Sequence, residues 1–238
     1  MGKITVFTYN LLINTATEQL DGLVSEMKPD IVAVQEVLIS GENLTTALQK
    51  PYVLADFSNC HIQNGKLYGI ATYYNRNTID LVSSDTLSFS FSFYEFLVLL
   101  LRGNKPRSML KTVFKSKKSG KEFHFYNLHL SPYGSNNIRK KQMYEAFEFI
   151  GTDNVGTVIT GDFNFPYGRK GFETITKEYN LSEATTNIDF SFQKNWLGFI
   201  PLKFKLDYIL YKNLKHAHTV KLSHTYSDHF PILAEFEI

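Results

Sequence analysis

The segment Val158-Ile159-Thr160-Gly161-Asp162-Phe163-Asn164 is the most informative stretch of this sequence. It begins with β-branched residues that favour a strand. It ends with a carboxylate and a carboxamide two positions apart, which share one face if the segment is extended. This spacing suits an Asp that takes a proton from water and an Asn that holds the same water or a phosphate oxygen. By itself, Gly-Asp-Phe-Asn could equally be an ordinary turn.

Five further islands also put a carboxylate, carboxamide or imidazole at the end of an apolar run. They are Thr8-Tyr9-Asn10, Gln35-Glu36-Val37, Asn127-Leu128-His129-Leu130, Leu206-Asp207-Tyr208-Ile209 and Ser227-Asp228-His229. Taken singly, each has an ordinary explanation, such as a solvated loop residue, a turn or a half-buried strand histidine. Together they predict six strand ends that aim oxygen and nitrogen ligands at one spot. Because Mg²⁺ prefers oxygen ligands and needs only one or two protein carboxylates, the pattern indicates a magnesium site beside a phosphate.

The remaining sequence predicts many strands and few helices. Apolar, β-branched and aromatic runs predict strands over residues 4–9, 31–35, 67–74, 108–114, 123–130, 155–160, 206–211 and 231–236. Residues 17–28 and 137–150 carry apolar side chains at helical spacing, and residues 116–121 are typical of an exposed hairpin turn. This distribution favours two stacked sheets with helices outside.

Composition limits the class of protein. The 238 residues are 43% hydrophobic, which is enough for one large core, so we expect a single domain over residues 1–238. The 25 basic and 23 acidic residues are nearly balanced, which neither indicates nor excludes nucleic-acid binding. Cys60 is the one cysteine, so a disulfide framework and a cysteine metal cluster are excluded. Because no secretory signal or transmembrane run is evident, we expect a cytoplasmic protein.

The order of the islands resembles the endonuclease/exonuclease/phosphatase superfamily, which has the deoxyribonuclease I-like fold. The motifs that carry the resemblance are Asn, Gln-Glu, Asn-x-His, Gly-Asp-x-Asn, Asp-Tyr-Ile and Ser-Asp-His, and they span residues 5–236. The resemblance implies an α/β fold, a four-layer α/β sandwich of two stacked mixed β-sheets flanked by helices. It also implies an active site at one edge of the paired sheets.

The resemblance implies roles for the metal ligands and the water. Glu36 would be the main metal ligand, and Asn10 would support the metal and the phosphate. The expected metal is Mg²⁺, although Mn²⁺ would satisfy the same oxygen-rich ligands. Asp162 would activate the attacking water, and Asn164 would orient that water or the phosphate.

The resemblance also implies roles for the histidines. His229, paired with a carboxylate such as Asp228 or Asp207, would bind the phosphate and share charge in the transition state. His129 would stabilise a nonbridging or leaving oxygen. Arg107 is a further candidate phosphate contact, the alternative being a solvent-facing arginine at a strand start.

Departures from the family pattern bear on the substrate. Asn10-Leu11-Leu12 lacks the extra carboxylate that enzymes of abasic sites and tyrosyl adducts generally carry, and abasic-site enzymes tend to have Tyr where this chain has His129. These departures favour the branches that contain deoxyribonuclease I, the deadenylases, the sphingomyelinases and the inositol-phosphate phosphatases. Among these we expect a nuclease, with nucleic acid as substrate. The alternatives are a phosphodiesterase for phospholipid or sphingomyelin head groups, which would meet membrane lipid, and an inositol-phosphate phosphatase. A non-catalytic binding module ranks last because no island is broken. A monomer without an obligate protein partner is expected.

Residues 192–205 immediately precede Asp207 and should overhang the site. This stretch contains Trp196 and Phe199. They would form a substrate platform that stacks bases or touches a lipid surface. The alternative is a loop folded onto the core.

Overall fold

The structure is a computed structural model that describes residues 2–90, 93, 96, 97, 100, 107–197, 199–223 and 226–238, without the side chain of Trp196. Two six-stranded mixed sheets form its framework. The first sheet contains, in spatial order, β13 (Lys215–Lys221), β14 (Ile232–Glu237), β1 (Lys3–Asn10), β2 (Ile31–Leu38), β4 (Lys66–Asn75) and β3 (Tyr52–Gln63). Within it β1 and β2 are parallel, whereas the other neighbours are antiparallel.

The second sheet repeats this plan. It contains, in spatial order, β5 (Ile79–Ser88), β6 (Ser108–Ser116), β7 (Glu122–His129), β8 (Gly156–Asp162), β12 (Asp207–Lys212) and β9 (Ser182–Glu183). Its parallel pair is β7 with β8. A separate two-stranded sheet is formed by β10 (Phe192–Trp196) and β11 (Ile200–Phe204).

Helices make the crossovers that the two parallel pairs require. Helix α1 (Thr17–Met27) joins β1 to β2, and helix α3 (Asn136–Ile150) joins β7 to β8. The other helices with defined bounds are α2 (Gly41–Thr46) and α4 (Arg169–Glu178). Helix α1 stops where Lys28 takes a left-handed conformation ahead of Pro29, a common helix end.

Three buried clusters give the layer order. One joins Val6 and Ala33 of the first sheet to Phe125 and Val158 of the second, so these two faces pack on each other. A second packs α1 against the outer face of the first sheet, and a third packs α3 and α4 against the outer face of the second. The predicted fold class, a four-layer sandwich of two mixed sheets flanked by helices, is confirmed.

The eight predicted strands and the two predicted helices are all present, and residues 117–119 form the predicted turn. The sequence analysis did not predict β3, β5, β13 or α4. The three strands have half-exposed or polar side chains that give little periodic signal. Helix α4 is amphipathic, with Phe172 and Ile175 buried, and its short pattern was missed. Among the described residues, no helix is long and apolar enough to span a membrane.

Candidate active site

The side chains of the six islands meet at one edge of the sandwich. Asn10, His129 and Asp162 are the last residues of β1, β7 and β8, whose carboxyl ends lie at this edge. The sequence suggested that Asp207 ends a strand, whereas in the structure it begins β12. Because β12 runs antiparallel to β8, Asp207 pairs directly with Asp162. The start of one strand thus lies beside the end of its neighbour.

Gln35 and Asn127 join the two sheets just behind this edge. The Gln35 Nε2 donates to Asn127 Oδ1 across the sandwich at 2.8 Å, and to Thr8 Oγ1 at 3.2 Å. The Asn127 amide donates to the carbonyl oxygens of Val34 and Ala71 at 3.2 and 2.9 Å. Both side chains are fully buried, so these bonds set the spacing of the sheets. Glu36 directly follows Gln35 and His129 lies two residues after Asn127, so this bonded pair anchors both site segments.

Asp162 accepts hydrogen bonds on both carboxylate oxygens. Asn10 Nδ2 of the opposite sheet donates to Asp162 Oδ2 at 3.0 Å, and the Asn164 backbone N–H donates to Asp162 Oδ1 at 2.8 Å. The sequence suggested that the segment is extended through Asn164. In the structure it turns there, because Asn164 takes a left-handed φ of 48°. This turn lets its side-chain amide donate to Leu130 O at 3.1 Å. Burial raises the pKa of the Asp162 carboxyl, although the nearby His229 opposes the shift.

Glu36 lies within β2 rather than after it. The pairing of β2 with β4 shifts register between Gln35 and Val37, and Glu36 occupies this bulge with a left-handed φ of 58°. A bulge re-aims the side chain that it carries, and a positive φ is uncommon for a residue with a Cβ. The carboxylate accepts a hydrogen bond from Ile13 N at 3.0 Å and remains partly accessible, with 19% of the side chain exposed.

His229 is paired with Asp207. The His229 Nδ1 lies 2.8 Å from Asp207 Oδ2, whereas Asp228 Oδ1 lies 4.0 Å from the other ring nitrogen. Of the two carboxylates that the sequence left open, Asp207 is thus the hydrogen-bond partner. Ser191 Oγ accepts the backbone N–H of Asp207 at 2.9 Å and helps to place it.

His229 carries a positive charge at neutral pH. Burial lowers the pKa of the imidazole, but the carboxylates of Asp207, Asp162 and Asp228 outweigh burial and raise the pKa to about 10. The Nδ1–H therefore donates to Asp207. The other ring nitrogen, Nε2, lies 3.8 Å from Asp162 Oδ2.

His129, in contrast to His229, is uncharged. Burial and the positive charge of Arg107 lower its pKa well below the usual value, so the ring is neutral. Its Nε2 lies 3.7 Å from Asp162 Oδ2 and 3.9 Å from Glu36 Oε1, and this buried atom has no hydrogen-bond partner in the described part of the chain. The Arg107 Nη1 lies 3.3 Å from His129 Nδ1. Arg107 is 5% exposed, so it is not the solvent-facing arginine of the alternative interpretation.

The donor set suits a hard divalent cation. Oxygen ligands would come from Glu36 and Asp162, which both lie within 4 Å of His129 Nε2, and from Asp207, whose buried Oδ1 has no hydrogen-bond partner among the described residues. Ligand atoms of Asp162, Asp207 and His229 lie within 4.8 Å of one another and could hold a metal ion. To bind a metal, His229 Nε2 would have to lose the proton that the surrounding carboxylates stabilise, whereas ionised carboxylates are ready ligands and are therefore the better candidates.

The β10–β11 hairpin stands beside His229. Phe192 forms an isolated antiparallel bridge with His229, and their ring centroids are 5.1 Å apart. Gln193 N donates to Asp228 O at 2.8 Å. The first residues of the 192–205 stretch therefore lie beside His229 and Asp228, and residue 198 of this stretch lies outside the described residues. Phe199, at the hairpin turn, is 75% exposed and is not folded onto the core. The side chain of Trp196 lies outside the described residues, and the platform role of both residues stays a prediction.

Two side chains near the site were missed from the sequence. His61 on β3 touches Arg107, with 3.2 Å between His61 Nδ1 and Arg107 Nη1, and Ser191 supports Asp207. Neither lies in a recognisable motif, and a histidine or serine in a half-exposed strand or loop gives no periodic signal. The roles of the predicted site residues themselves remain predictions, although the structure brings them together.

A profile described as "Endonuclease/Exonuclease/phosphatase family" matches residues 7–229. No curated protein matches the sequence. The chain is similar to the human Nocturnin catalytic domain with bound sulfate (17% identity, TM-score 0.77, covering 99% of this chain and 94% of that one).

Two other solved structures have the same fold. D. rerio TDP2 complexed with single-strand DNA product shares 13% identity at a TM-score of 0.76, covering all of both chains (100% of each). The mannosyl-6-phosphatase Bt3783 of Bacteroides thetaiotaomicron VPI-5482 shares 19% identity at a TM-score of 0.73, covering 99% of this chain and 100% of that one. At these identities the likeness shows the fold alone.

Proposed function

The chain belongs to the endonuclease/exonuclease/phosphatase family, and from that premise we propose that it is a metal-dependent phosphodiesterase that cleaves nucleic acid. One observation carries the proposal. The Nε2 atoms of His129 and His229 lie 3.7 and 3.8 Å from the same oxygen, Asp162 Oδ2. Two imidazole donors beside one buried carboxylate suit a phosphate and an attacking water.

The two histidines bind the phosphate in this proposal. His229 offers a positively charged N–H because Asp207 holds its other nitrogen. His129 offers a neutral N–H that has no other partner among the described residues. Arg107 adds a buried positive charge behind His129. These fixed donors would favour the negative charge that grows on the phosphate oxygens in the transition state.

Asp162 acts as the base. It takes a proton from a water that attacks phosphorus in line, as the bond from phosphorus to the leaving oxygen breaks. Asn10 and the Asn164 backbone hold the carboxylate, and the Asn164 turn keeps its amide next to the strand end. Glu36 would hold the metal, with Asn10 in support. A divalent cation bound there would supply positive charge to the phosphate oxygens.

Nucleic acid is the preferred substrate because three segments that carry or adjoin site residues also carry exposed aromatic side chains. Tyr167 follows Asn164 and is 63% exposed, Tyr226 precedes Asp228 and is 46% exposed, and Phe199 is on the hairpin. Bases stack on such rings with little sequence preference. The similar TDP2 structure holds single-strand DNA product, which supports the same choice.

A second candidate is hydrolysis of phospholipid or sphingomyelin head groups. It is favoured by the hairpin, where Leu197, Ile200 and Leu202 are exposed near Lys194 and Lys203. Apolar side chains with flanking lysines suit a membrane surface. Sedimentation with anionic and with zwitterionic liposomes would separate this candidate from a nuclease.

The test is cleavage of supercoiled plasmid and of labelled single-stranded DNA and RNA with Mg²⁺. We expect cleavage that stops with chelator and falls by about 10²–10³ in His229→Ala, the usual cost of removing a transition-state donor. The control is His218→Ala, which changes an exposed histidine on β13 and should retain the wild-type rate. A well-folded wild type that cleaves none of these substrates would refute a nuclease and direct attention to lipid and inositol phosphates.

A further inference from the structure

We propose that His61 is a positioning residue that fixes Arg107 and, through Arg107, holds His129 as the tautomer whose proton faces the phosphate. This inference rests on the proposed phosphodiesterase activity. His61 belongs to none of the six islands. It lies on β3, at the outer edge of the first sheet, whereas Arg107 and His129 belong to the second sheet or its approach.

The three side chains form one buried chain of contacts. Arg107 Nη1 lies 3.2 Å from His61 Nδ1 and 3.3 Å from His129 Nδ1. The two imidazole rings are 6.3 Å apart and perpendicular. His61, Arg107 and His129 are 7%, 5% and 1% exposed. One guanidinium nitrogen therefore bridges two imidazoles from different sheets.

The chemistry of arginine fixes both tautomers. A guanidinium only donates hydrogen bonds and is not deprotonated in proteins, so each Nδ1 that it contacts must be an acceptor. The single remaining ring proton of each histidine then sits on Nε2. For His129 that proton points towards Asp162 and Glu36, where the phosphate would bind. Consistently, burial and Arg107 lower the pKa of His61 to about 3, so this ring is neutral.

The local sequence aims His61 at Arg107. The pairing of β3 with β4 shifts register between Asn59 and His61, so that Cys60 and His61 are both buried although they are adjacent. Gly69 on β4 permits the close approach, since a Cβ there would lie 2.0 Å from Ser58 O. The His61 ring then stacks on Tyr68 with centroids 5.4 Å apart.

Loss of the His61 acceptor would release Arg107. One N–H of Nη1 would be left buried without a partner, which is costly for a charged donor. In the described ranges Arg107 forms no ion pair with a carboxylate, so the imidazoles are what hold Nη1. A released guanidinium could turn towards the acidic groups of the site and leave His129 Nδ1 free to take a proton.

The test compares His61→Phe, which keeps a ring on Tyr68 but has no acceptor, with His61→Asn, which restores an acceptor close to the position of Nδ1. Bis(p-nitrophenyl) phosphate is the substrate, and inorganic phosphate is the competing anion. We expect His61→Phe to lower kcat/KM about ten- to hundred-fold, the range for a lost hydrogen bond to a charged group, and to weaken phosphate inhibition. His61→Asn should recover most of the loss.

A double-mutant cycle separates positioning from mere support of the fold. In an Arg107→Gln background, His61→Phe should change kcat/KM by less than about threefold, because its effect passes through Arg107. Equal losses in both backgrounds, or an Asn variant as impaired as Phe, would overturn the proposal.

Nitrogen-15 NMR of the wild-type histidines tests the proposal independently of variant folding. His61 and His129 should both show a protonated Nε2 and an unprotonated Nδ1 at neutral pH, and a protonated Nδ1 on either ring would refute it. A wild type inactive on every phosphoester would refute the proposed function instead, and the tautomers would then decide the His61 arrangement alone.

Discussion

Replacing Asp207 by Asn tests the charge on His229 most directly. The Asp207 Oδ2 lies 2.8 Å from His229 Nδ1, and the two residues are 2% and 5% exposed. Asparagine keeps the size and one oxygen acceptor but removes the negative charge. The imidazole then loses its main stabilising partner, while the burial that opposes its charge remains.

The expected loss of stability is several kcal/mol. The pKa of His229 is raised from 6.5 to about 10, which at about 1.4 kcal/mol per pKa unit corresponds to roughly 5 kcal/mol. Breaking a buried ion pair costs about 3–5 kcal/mol, in the same range. The retained acceptor should reduce the loss in the Asn variant to about 2–4 kcal/mol.

The loss depends on pH with a definite sign. A group whose folded pKa is raised stabilises the fold fully below its unfolded pKa, here 6.5, and this stabilisation disappears as the pH rises through about 10. The difference in free energy of unfolding between wild type and Asp207→Asn should thus be largest at pH 6 and small at pH 10. Urea denaturation at both pH values measures it.

Asp228→Asn is the matched control, since its carboxylate lies 4.0 Å from the opposite ring nitrogen. We expect a smaller change in stability and in the NMR titration of His229 than for Asp207→Asn. A larger effect of Asp228→Asn, or an Asp207→Asn difference that grows between pH 6 and pH 10, would show that Asp207 is not the group that keeps His229 charged.

Three further predictions follow from the site and the strands that build it. Glu36→Gln should raise the Mg²⁺ concentration needed for half-maximal activity by about tenfold or more, because a neutral amide is a weaker ligand. The control is Glu42→Gln, which changes an exposed glutamate on α2. Equal Mg²⁺ requirements in the two variants would contradict the assignment of Glu36 as a metal ligand. Gly161→Ala should destabilise the fold by about 3 kcal/mol or more in urea denaturation, because the φ of Gly161 is 139° and a Cβ would lie 1.9 Å from Leu128 O. The control Gly22→Ala, with nothing within 4 Å of the added Cβ, should instead stabilise the fold by about 0.5–1 kcal/mol. A Gly161→Ala variant as stable as wild type would refute this account. Removing divalent metal with EDTA should abolish hydrolysis and lower the melting temperature, because the acidic groups would then repel one another; full activity in EDTA would exclude a metal-dependent reaction.

Much of the fold could be predicted because its strands are strongly patterned. The runs that became β1, β2, β7 and β8 are nearly all buried, and buried strands appear in a sequence as continuous apolar stretches. By contrast β5 is mostly exposed and carries Asp and Ser residues, so its pairing with β6 is not visible beforehand. Edge strands are specified by their neighbours more than by their own periodicity.

The candidate site shows the same division. Asn10, His129 and Asp162 stand where apolar runs end, so their meeting at one edge followed from the strand pattern. The left-handed conformation of Glu36 could not be predicted from the strand pattern, because it depends on a bulge in the pairing of β2 with β4. The left-handed turn at Asn164, which holds the Asp162 carboxylate, was also not anticipated.

The sequence alone therefore determined the layers, the strand ends and the kinds of side chain that collect there, because hydrophobic periodicity is local and survives without knowledge of partners. Only the tertiary structure decided the pairings and the charges: Asp207 rather than Asp228 beside His229, and Arg107 between His61 and His129. Asp207 and His229 are 22 residues apart in the sequence, and His61 and Arg107 are 46 residues apart. Hydrogen-bond geometry and burial set their protonation, and neither exists until the two sheets have packed together.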